Sequence, residues 1–416
     1  MRPRLARPRS SVSIRVLFLL VGIAIAAFFP FLSLVLKAHG LDARQIGIAV
    51  GVMAVARILA NPLWGHAADT WTGRKRAMQL SAAAGAVAAI ALFASGTAAV
   101  AVIAASAFLA AASGAFVSTG DALALAHLGA ERVGEYGRLR GWLSIGYAVA
   151  NLGLGFLLQE TGANSALVVY AIASAGVALW LVTLQTDPPE HERGARFGSV
   201  GAVFRGSDRL PIYLLGWLVI GVAFTAAWTF LALRIENRGG GPLLVGLGAA
   251  LGGAIEVPTF RLASRLTERR GLRATFALGC VVYAAAFLLW GVVTDPVALS
   301  LLFPFEGVGF ALLFASGVPI IGRLVPPQLH ATGQAISGVT WMGVAPIVGG
   351  PIGGWVYATL GAVALYAGAS VLCLVGGVIV WLTLNDPAFA RPVGRTSGPD
   401  VEAPSPTRGE GTPIRS

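Results

Sequence analysis

Gly65-His-Ala-Ala-Asp69-Thr-Trp-Thr-Gly73-Arg74-Lys75-Arg76 is a polar break between two runs that carry almost no charge, residues 44 to 67 and 77 to 96. Each run has the roughly 20 residues that cross a bilayer core as a helix. Outward from this break the alternation repeats. Further runs span 14 to 36, 98 to 127, 138 to 159, 164 to 185, 210 to 233, 243 to 264, 273 to 293, 297 to 323, 331 to 357 and 360 to 384, twelve in all. Most connections are short and polar, such as Lys37-Ala-His-Gly-Leu-Asp42 and Arg269-Arg-Gly-Leu-Arg273, so successive helices are antiparallel neighbours. Barrel strands would alternate apolar and polar residues over about ten positions, and no segment does so. The fold class is an all-α membrane protein of twelve transmembrane helices.

Composition agrees. The 416 residues are 56% hydrophobic and 12% charged, with a mean hydropathy of +0.76. A soluble chain carries about 25% charged residues, and a disordered or collagen-like chain lacks such apolar runs. The net charge of +11 and pI near 10.6 would in a soluble protein suggest nucleic acid. Placing the charges removes that reading. With the N-terminus in the cytoplasm, 25 of the 30 Lys and Arg lie on the cytoplasmic side, ahead of or at the cytoplasmic ends of the runs, in the even-numbered loops and in the tail. The other face holds only Lys37, Arg44, Arg234 and Arg238, and Arg57 lies inside a run. The positive-inside rule puts both termini in the cytoplasm, with the lipid bilayer as the surface the basic residues meet and no nucleic acid as partner. Arg2, Arg4, Arg7 and Arg9 imitate the start of a signal peptide. The apolar run that follows is about 23 residues, longer than a signal core of about 7 to 15, so it is a retained helix. Lysine is scarce, only Lys37 and Lys75, which fits a GC-rich bacterial genome and an inner-membrane location.

The longest internal polar stretch, from Asp187 to Asp208, splits the segments six and six. The expected organisation is a six-helix bundle over 1–185, a cytoplasmic loop over 186–209, a second bundle over 210–384 and a disordered cytoplasmic tail over 385–416. An offset of 196 superposes Pro62 on Pro258, Asp69 on Arg265, Gly137 on Gly333 and Gly153 on Gly349, each pair at an equivalent place in its half. Duplicated halves imply a cavity between them and alternating access by rocking.

The opening stretch resembles the signature G-x-x-x-D-x-x-G-R-[RK]-[RK] that the major facilitator superfamily carries between its second and third helices. The resemblance implies that Gly65, Asp69, Gly73, Arg74 and Arg76 form a cytoplasmic gate, with Asp69 as a latch that accepts hydrogen bonds from helix N-termini. Lys75 reads as topology. Within the superfamily the chain is similar to the phenylpropionate permease group and its oligosaccharide and nucleoside proton-symporter relatives. The segments that carry this are Asp121-Ala-Leu-Ala, Glu135-Tyr-Gly-Arg138-Leu-Arg140-Gly-Trp-Leu-Ser-Ile-Gly146, Ala254-Ile-Glu256-Val and Ala331-Thr-Gly-Gln334. Where those relatives tend to carry histidine in helix 10, this chain has Glu306-Gly-Val-Gly-Phe310. The Gly-Pro-x-x-Gly-Gly signature of drug antiporters belongs in helix 5, whereas here Gly350-Pro351-Ile352-Gly353-Gly354 lies in helix 11 and helix 5 reads Asn151-Leu-Gly153-Leu-Gly155. Close helix packing is the preferred reading of Gly349, Gly350, Gly353 and Gly354.

Arg57, Asp121, Glu256 and Glu306 lie inside apolar runs. Exposed to lipid at mid-helix they would together cost about 10 to 14 kcal/mol, so they face a wet cavity or each other. Arg57 is assigned to an anionic solute, because guanidinium stays charged and grips carboxylate at two points; the competing reading is an ion pair with an acid across the bundle. By resemblance, Asp121 and Arg140 serve substrate or coupling, and a structural bridge between helices 4 and 5 is equally open. Asn151 and Glu256 join the substrate-binding candidates. Glu306 and Glu256, and after them Asp121, are the proton-coupling candidates, since a carboxyl without a nearby base favours its neutral form on burial. Trp228, Trp341 and Phe29 suggest an aromatic wall for an organic ligand, although packing is the commoner use of such residues.

The five histidines are scattered, Cys280 and Cys373 sit alone in apolar runs as structural thiols, and no ATP-binding loop or Ser-His or Cys-His arrangement is visible. No metal, cofactor or enzymatic chemistry is expected. The sequence points to a monomeric secondary transporter whose partners are protons and a small organic solute, an aromatic or other carboxylate, carried by symport. A proton-coupled exporter of the same fold is the alternative, and a receptor without transport or an intramembrane enzyme belongs to other classes.

Overall fold

A computed structural model describes residues 12–128, 135–184, 200–386 and 389. Residues 186–199 of the expected central loop lie outside these, as does the expected tail apart from residues 385, 386 and 389. Among the described residues the structure is helical throughout. Ten helices are long and apolar enough to cross a membrane, or eleven when one bent pair is a single span.

That pair is α1 (Val12–Phe28) and α2 (Leu32–Ala38), bent by 49°. The cause is Pro30, which lacks an N–H and disfavours helix at the residue before it. The sequence predicts one unbroken helix over 14 to 36, so the break is a correction, and it turns Phe29 and Pro30 toward the interior. α3 (Ala43–His66) starts with a capping box in which Asp42 and Gln45 each accept a backbone N–H from the other, at 2.9 and 3.0 Å. It ends in a π turn, Ala67–Trp71, before α4 (Gly73–Phe93). The run predicted over 98 to 127 is one 30-residue span, Ala99–Leu128, in which a 3-10 turn at Ser113–Ala115 joins α5 (Ala99–Ala112) to α6 (Phe116–Leu128). α7 (Tyr136–Thr161) and α8 (Ser165–Thr183) follow, and a short α9 (Val200–Arg205) occupies part of the expected cytoplasmic loop.

α10 (Arg209–Glu236) leads to α11 (Pro242–Val292), whose 51 residues would be about 76 Å long if straight, more than twice a bilayer core. It is not straight: Gly271 has φ 83° and ψ 168°, a conformation glycine alone adopts freely. The chain continues through α12 (Pro296–Leu301), α13 (Phe303–Leu324), α14 (His330–Val339), a π turn at Thr340–Val344, α15 (Ala345–Thr359) and α16 (Gly361–Thr383).

Two crossings close one end of the bundle, α3 on α15 and α7 on α11. At the first, a Cβ on Gly47 would strike the Gly350 carbonyl and come within 3.0 Å of the Gly354 Cα, and a Cβ on Gly354 would strike the Ala43 carbonyl. At the second, a Cβ on Gly155 would stand 3.1 Å from the Leu243 Cα, and one on Gly246 would strike the Asn151 carbonyl. Gly349 and Gly353 pack as tightly on α10, so all four glycines of the 349–354 run serve close packing. Lys37 bridges to Glu236 at 2.6 Å at the same end. At the other end nothing stands within 4 Å of a Cβ on Gly65, Gly137 or Gly141, and no extensive contact joins α4 or α6 to α11, α13 or α14 among the described residues.

Basic side chains there cap helix ends. Lys75 donates to the Leu184 carbonyl at 2.6 Å at the end of α8. Arg273, 198 positions later, donates to the Trp381 carbonyl at 3.0 Å at the end of α16 and lies 3.9 Å over the Trp381 ring. Each cation meets the negative end of a helix dipole, the same device in the same place of each half.

Gly354→Val puts a branched side chain against backbone and is expected to destabilise the closed end by about 1 to 3 kcal/mol. Cys280 and Cys373 are buried, so in a Ser33→Cys background the introduced thiol reports alone. Its labelling by an impermeant maleimide should accelerate at least about fivefold; an unchanged rate would mean that the glycine crossing does not hold this end shut.

Candidate solute cavity

Four α3 residues at helical spacing, Val50, Met53, Ala54 and Arg57, present one face to a cavity of about 100 Å³. α10 contributes Phe224, Thr225, Trp228 and Thr229, the break after α1 contributes Phe28, Phe29 and Pro30, and the π turn contributes Trp341. The space is room for about three waters, smaller than a ligand site of about 300 Å³ or more, so its walls stand together in this conformation. A larger recess of about 350 Å³ between α1, α7 and α8 is lined by glycine and aliphatic side chains alone. With no polar group to orient a solute, it is a crevice for lipid.

The walls are aromatic. Phe29 stacks on Trp228 at 5.6 Å, Trp228 on Phe224 at 5.8 Å and Phe224 on Trp341 at 5.3 Å. Trp341 also lies 4.4 Å from Trp217, so it both lines the cavity and packs the core behind it. Ser33, Thr225 and Thr229 supply hydroxyls, and Arg57 is the one charged residue on the wall. Among the described residues no acid forms an ion pair with Arg57, so the competing reading, a charge neutralised across the bundle, is not what this conformation contains.

The other intramembrane charges lie elsewhere. Arg140 Nε is 3.1 Å from Asp121 Oδ1, tying α7 to α6, and its guanidinium lies 5.8 Å over the Phe18 ring. Glu306 is 5% exposed and accepts a 2.9 Å hydrogen bond from the Tyr283 hydroxyl. Glu256 is half-buried on α11, where Gly307 of α13 packs against Gly252 and Ile255. Tyr147 of α7 packs against Gly253 on the same stretch of α11, where a Cβ would stand 3.3 Å from its ring. Asn151 is buried at the α7–α11 crossing and donates to the Tyr147 carbonyl at 2.9 Å; it is not on the cavity wall.

At the open end the π turn is held by Thr70, which donates to the His66 carbonyl at 2.7 Å, and by Thr72, which donates to the Ala67 carbonyl at 3.0 Å. Gly73 has φ 73°, which allows the sharp entry into α4. Asp69 and Arg76 are exposed and Arg74 is half-buried. Asp69 makes no hydrogen bond or ion pair among the described residues, so a latch through it is not fastened here. Sequence reasoning missed Tyr147 and Tyr283. Tyr147 was within reach, since it stands seven residues after Arg140 on the same helical face; Tyr283 has no local signal.

The model of the MFS_1-like family matches residues 12–367. Maltose permease of Geobacillus stearothermophilus is 28% identical over 383 residues, which cover 88% of this chain and 92% of that protein. Among solved structures, the nucleoside transporter NupG superposes with a TM-score of 0.80 at 17% identity, covering 90% of this chain and 99% of that one. A D-xylose-proton symporter superposes with a TM-score of 0.68 at 13% identity, covering 89% and 96%. At such identities these likenesses establish the fold.

Tyr283→Phe leaves the buried Glu306 without its donor. A loss of about 1 to 3 kcal/mol is expected, seen as a lower melting temperature, and an unchanged melting temperature would mean that the bond contributes nothing.

Proposed function

The chain belongs to the MFS_1-like family of the major facilitator superfamily, and from that premise we propose that it is a secondary active transporter moving a small organic carboxylate by proton symport. The observation that carries the reading is Arg57, a guanidinium on an aromatic wall that pairs with no acid among the described residues. A carboxylate takes its two-point fork, and an aromatic or other apolar body fits between Phe29 and Trp228. Glu306 and Glu256 are the proton carriers in this proposal, away from the solute, with Tyr147 of the other half packed against Gly253 on α11. Asp121 and Arg140 support α6 on α7, with a role in coupling as the finer possibility.

Alternating access is the proposed mechanism. Counting α11 as two spans broken at Gly271, and α1 with α2 as one, gives twelve helices in halves 1–185 and 210–384. The bias of Lys and Arg supports cytoplasmic termini in a bacterial inner membrane. On that orientation the glycine crossings shut the outer end while the Asp69 end is open inward, and the monomer is the working unit.

Maltose permease, a relative by sequence, supports a second reading in which the solute is a sugar. A sugar needs many hydrogen-bond partners, and this wall offers Arg57 and three hydroxyls among apolar side chains. The carboxylate reading fits the wall better.

Proteoliposomes with an imposed pH gradient test it, using aromatic acids, sugars and nucleosides. Uptake of acids driven by an inward proton gradient is expected. Arg57→Ala should abolish it and Arg57→Lys should keep part, because an ammonium preserves the charge without the fork. Equal uptake by wild type and Arg57→Ala rejects the clamp, uptake of sugars alone selects the second reading, and gradient-driven efflux selects an exporter.

A further inference from the structure

One ring separates the cavity wall from the buried carboxyl of Glu306. Phe224, which lines the cavity, lies 6.0 Å from the Tyr283 ring, and the Tyr283 hydroxyl donates to Glu306 at 2.9 Å. A second contact fixes the other side of that bond. Trp228, also on the wall, meets Phe303 edge-on at 5.6 Å, and Phe303 stands one turn before Glu306 on α13. Glu306 therefore rides on a helix that leans on Trp228, whereas its hydrogen-bond donor comes from α11 and leans on Phe224.

The Tyr283 ring has nowhere to retreat. It is buried, Phe287 stacks on it at 5.2 Å, and a Cβ on Gly309 would stand 3.0 Å from its Cγ. Close-packed interiors pass a displacement on instead of absorbing it. A cavity of about 100 Å³ has to widen to admit an organic solute, and Phe224 is the part of the wall that Tyr283 backs. To the same place α11 also brings Glu256, on the stretch that Gly307 packs against, and α7 brings Tyr147, whose ring lies against Gly253. Among the described residues no base pairs with Glu306.

We propose that Tyr283 is a positioning residue that couples solute in the cavity to the proton at Glu306. The inference rests on the proton-symport reading above and adds to it the link between the two sites. A carboxylate gains more from a hydroxyl donor than the neutral acid does. A solute that drives Phe224 against Tyr283 and swings the hydroxyl off Glu306 therefore favours arrival of the proton, and a proton already on Glu306 eases entry of the solute. The coupling is reciprocal, and its sign is that of a symporter, in which the two bind together.

The first test needs no solute. Tryptophan emission of the purified full-length protein is titrated with pH, since Trp228 and Trp341 both stack on Phe224. A component present in wild type should be absent from Glu306→Gln and from Tyr283→Phe. The second test uses benzoate, 3-phenylpropionate, maltose and uridine as probes, in binding and in proteoliposomes. Wild-type affinity for the probe that is carried should tighten at least about tenfold as pH falls, the size of one hydrogen bond to a charged group. Tyr283→Phe should bind with little pH dependence and keep solute exchange between the two sides while losing accumulation driven by a proton gradient. A purely structural role would lower exchange and accumulation together, and that result overturns the proposal. If Tyr283→Phe keeps the emission component and the pH dependence while Glu306→Gln loses both, the link through Tyr283 is overturned and the proton reading stands. If Glu306→Gln keeps them as well, or wild type carries no probe, both fall.

Discussion

Backbone meets backbone, with no Cβ between, where α3 crosses α15 and where α7 crosses α11. In hydrocarbon there is no hydrophobic gain from bringing helices together, so close van der Waals approach has to hold them. Gly47, Gly350 and Gly354 make that approach on one side, and Gly155 and Gly246 on the other. The two crossings correspond under the offset that relates the halves, since Leu243 lies 196 residues after Gly47 and Pro351 lies 196 after Gly155. The Lys37–Glu236 pair at the same end is partly exposed and adds little by comparison. With one end pinned by packing and the other unpinned, the cavity wall of α3 and α10 lies just beyond the pinned region.

The bilayer makes every charge below that closure costly, and the structure meets the cost differently each time. Asp121 and Arg140 neutralise one another between neighbouring helices. Glu306 takes a hydroxyl donor from Tyr283 and needs no counter-charge when it holds its proton. Arg57 has neither remedy, because guanidinium cannot shed its charge under physiological conditions and no acid pairs with it among the described residues. The imbalance at Arg57, among aromatic rings, is the observation on which the proposed anionic solute rests.

Much of this was legible in one dimension. Apolar run length is set by bilayer thickness, and the Lys and Arg bias by the sidedness of insertion, so spans and charges can be read residue by residue. The packing role of the 349–354 glycines was legible too, because four glycines in six positions leave a helix face without side chains. Pro30 is visible in the sequence, yet whether a proline kinks a helix or breaks it depends on what receives the freed backbone. The 3-10 turn at Ser113–Ala115 falls on a Ser-Gly pair, a local feature that loosens a helix without ending the span.

The sequence by itself determined the family, the apolar runs that supply the spans and the four intramembrane charges, because each follows from local hydropathy, charge or motif. Tertiary structure decided which of those charges pair and that Asn151 is buried in a crossing instead of lining the cavity. Those outcomes depend on how each helix is rotated and crossed against its neighbours. Rotation and crossing are set by side chains and glycines far away in the chain, and no window of sequence contains both partners.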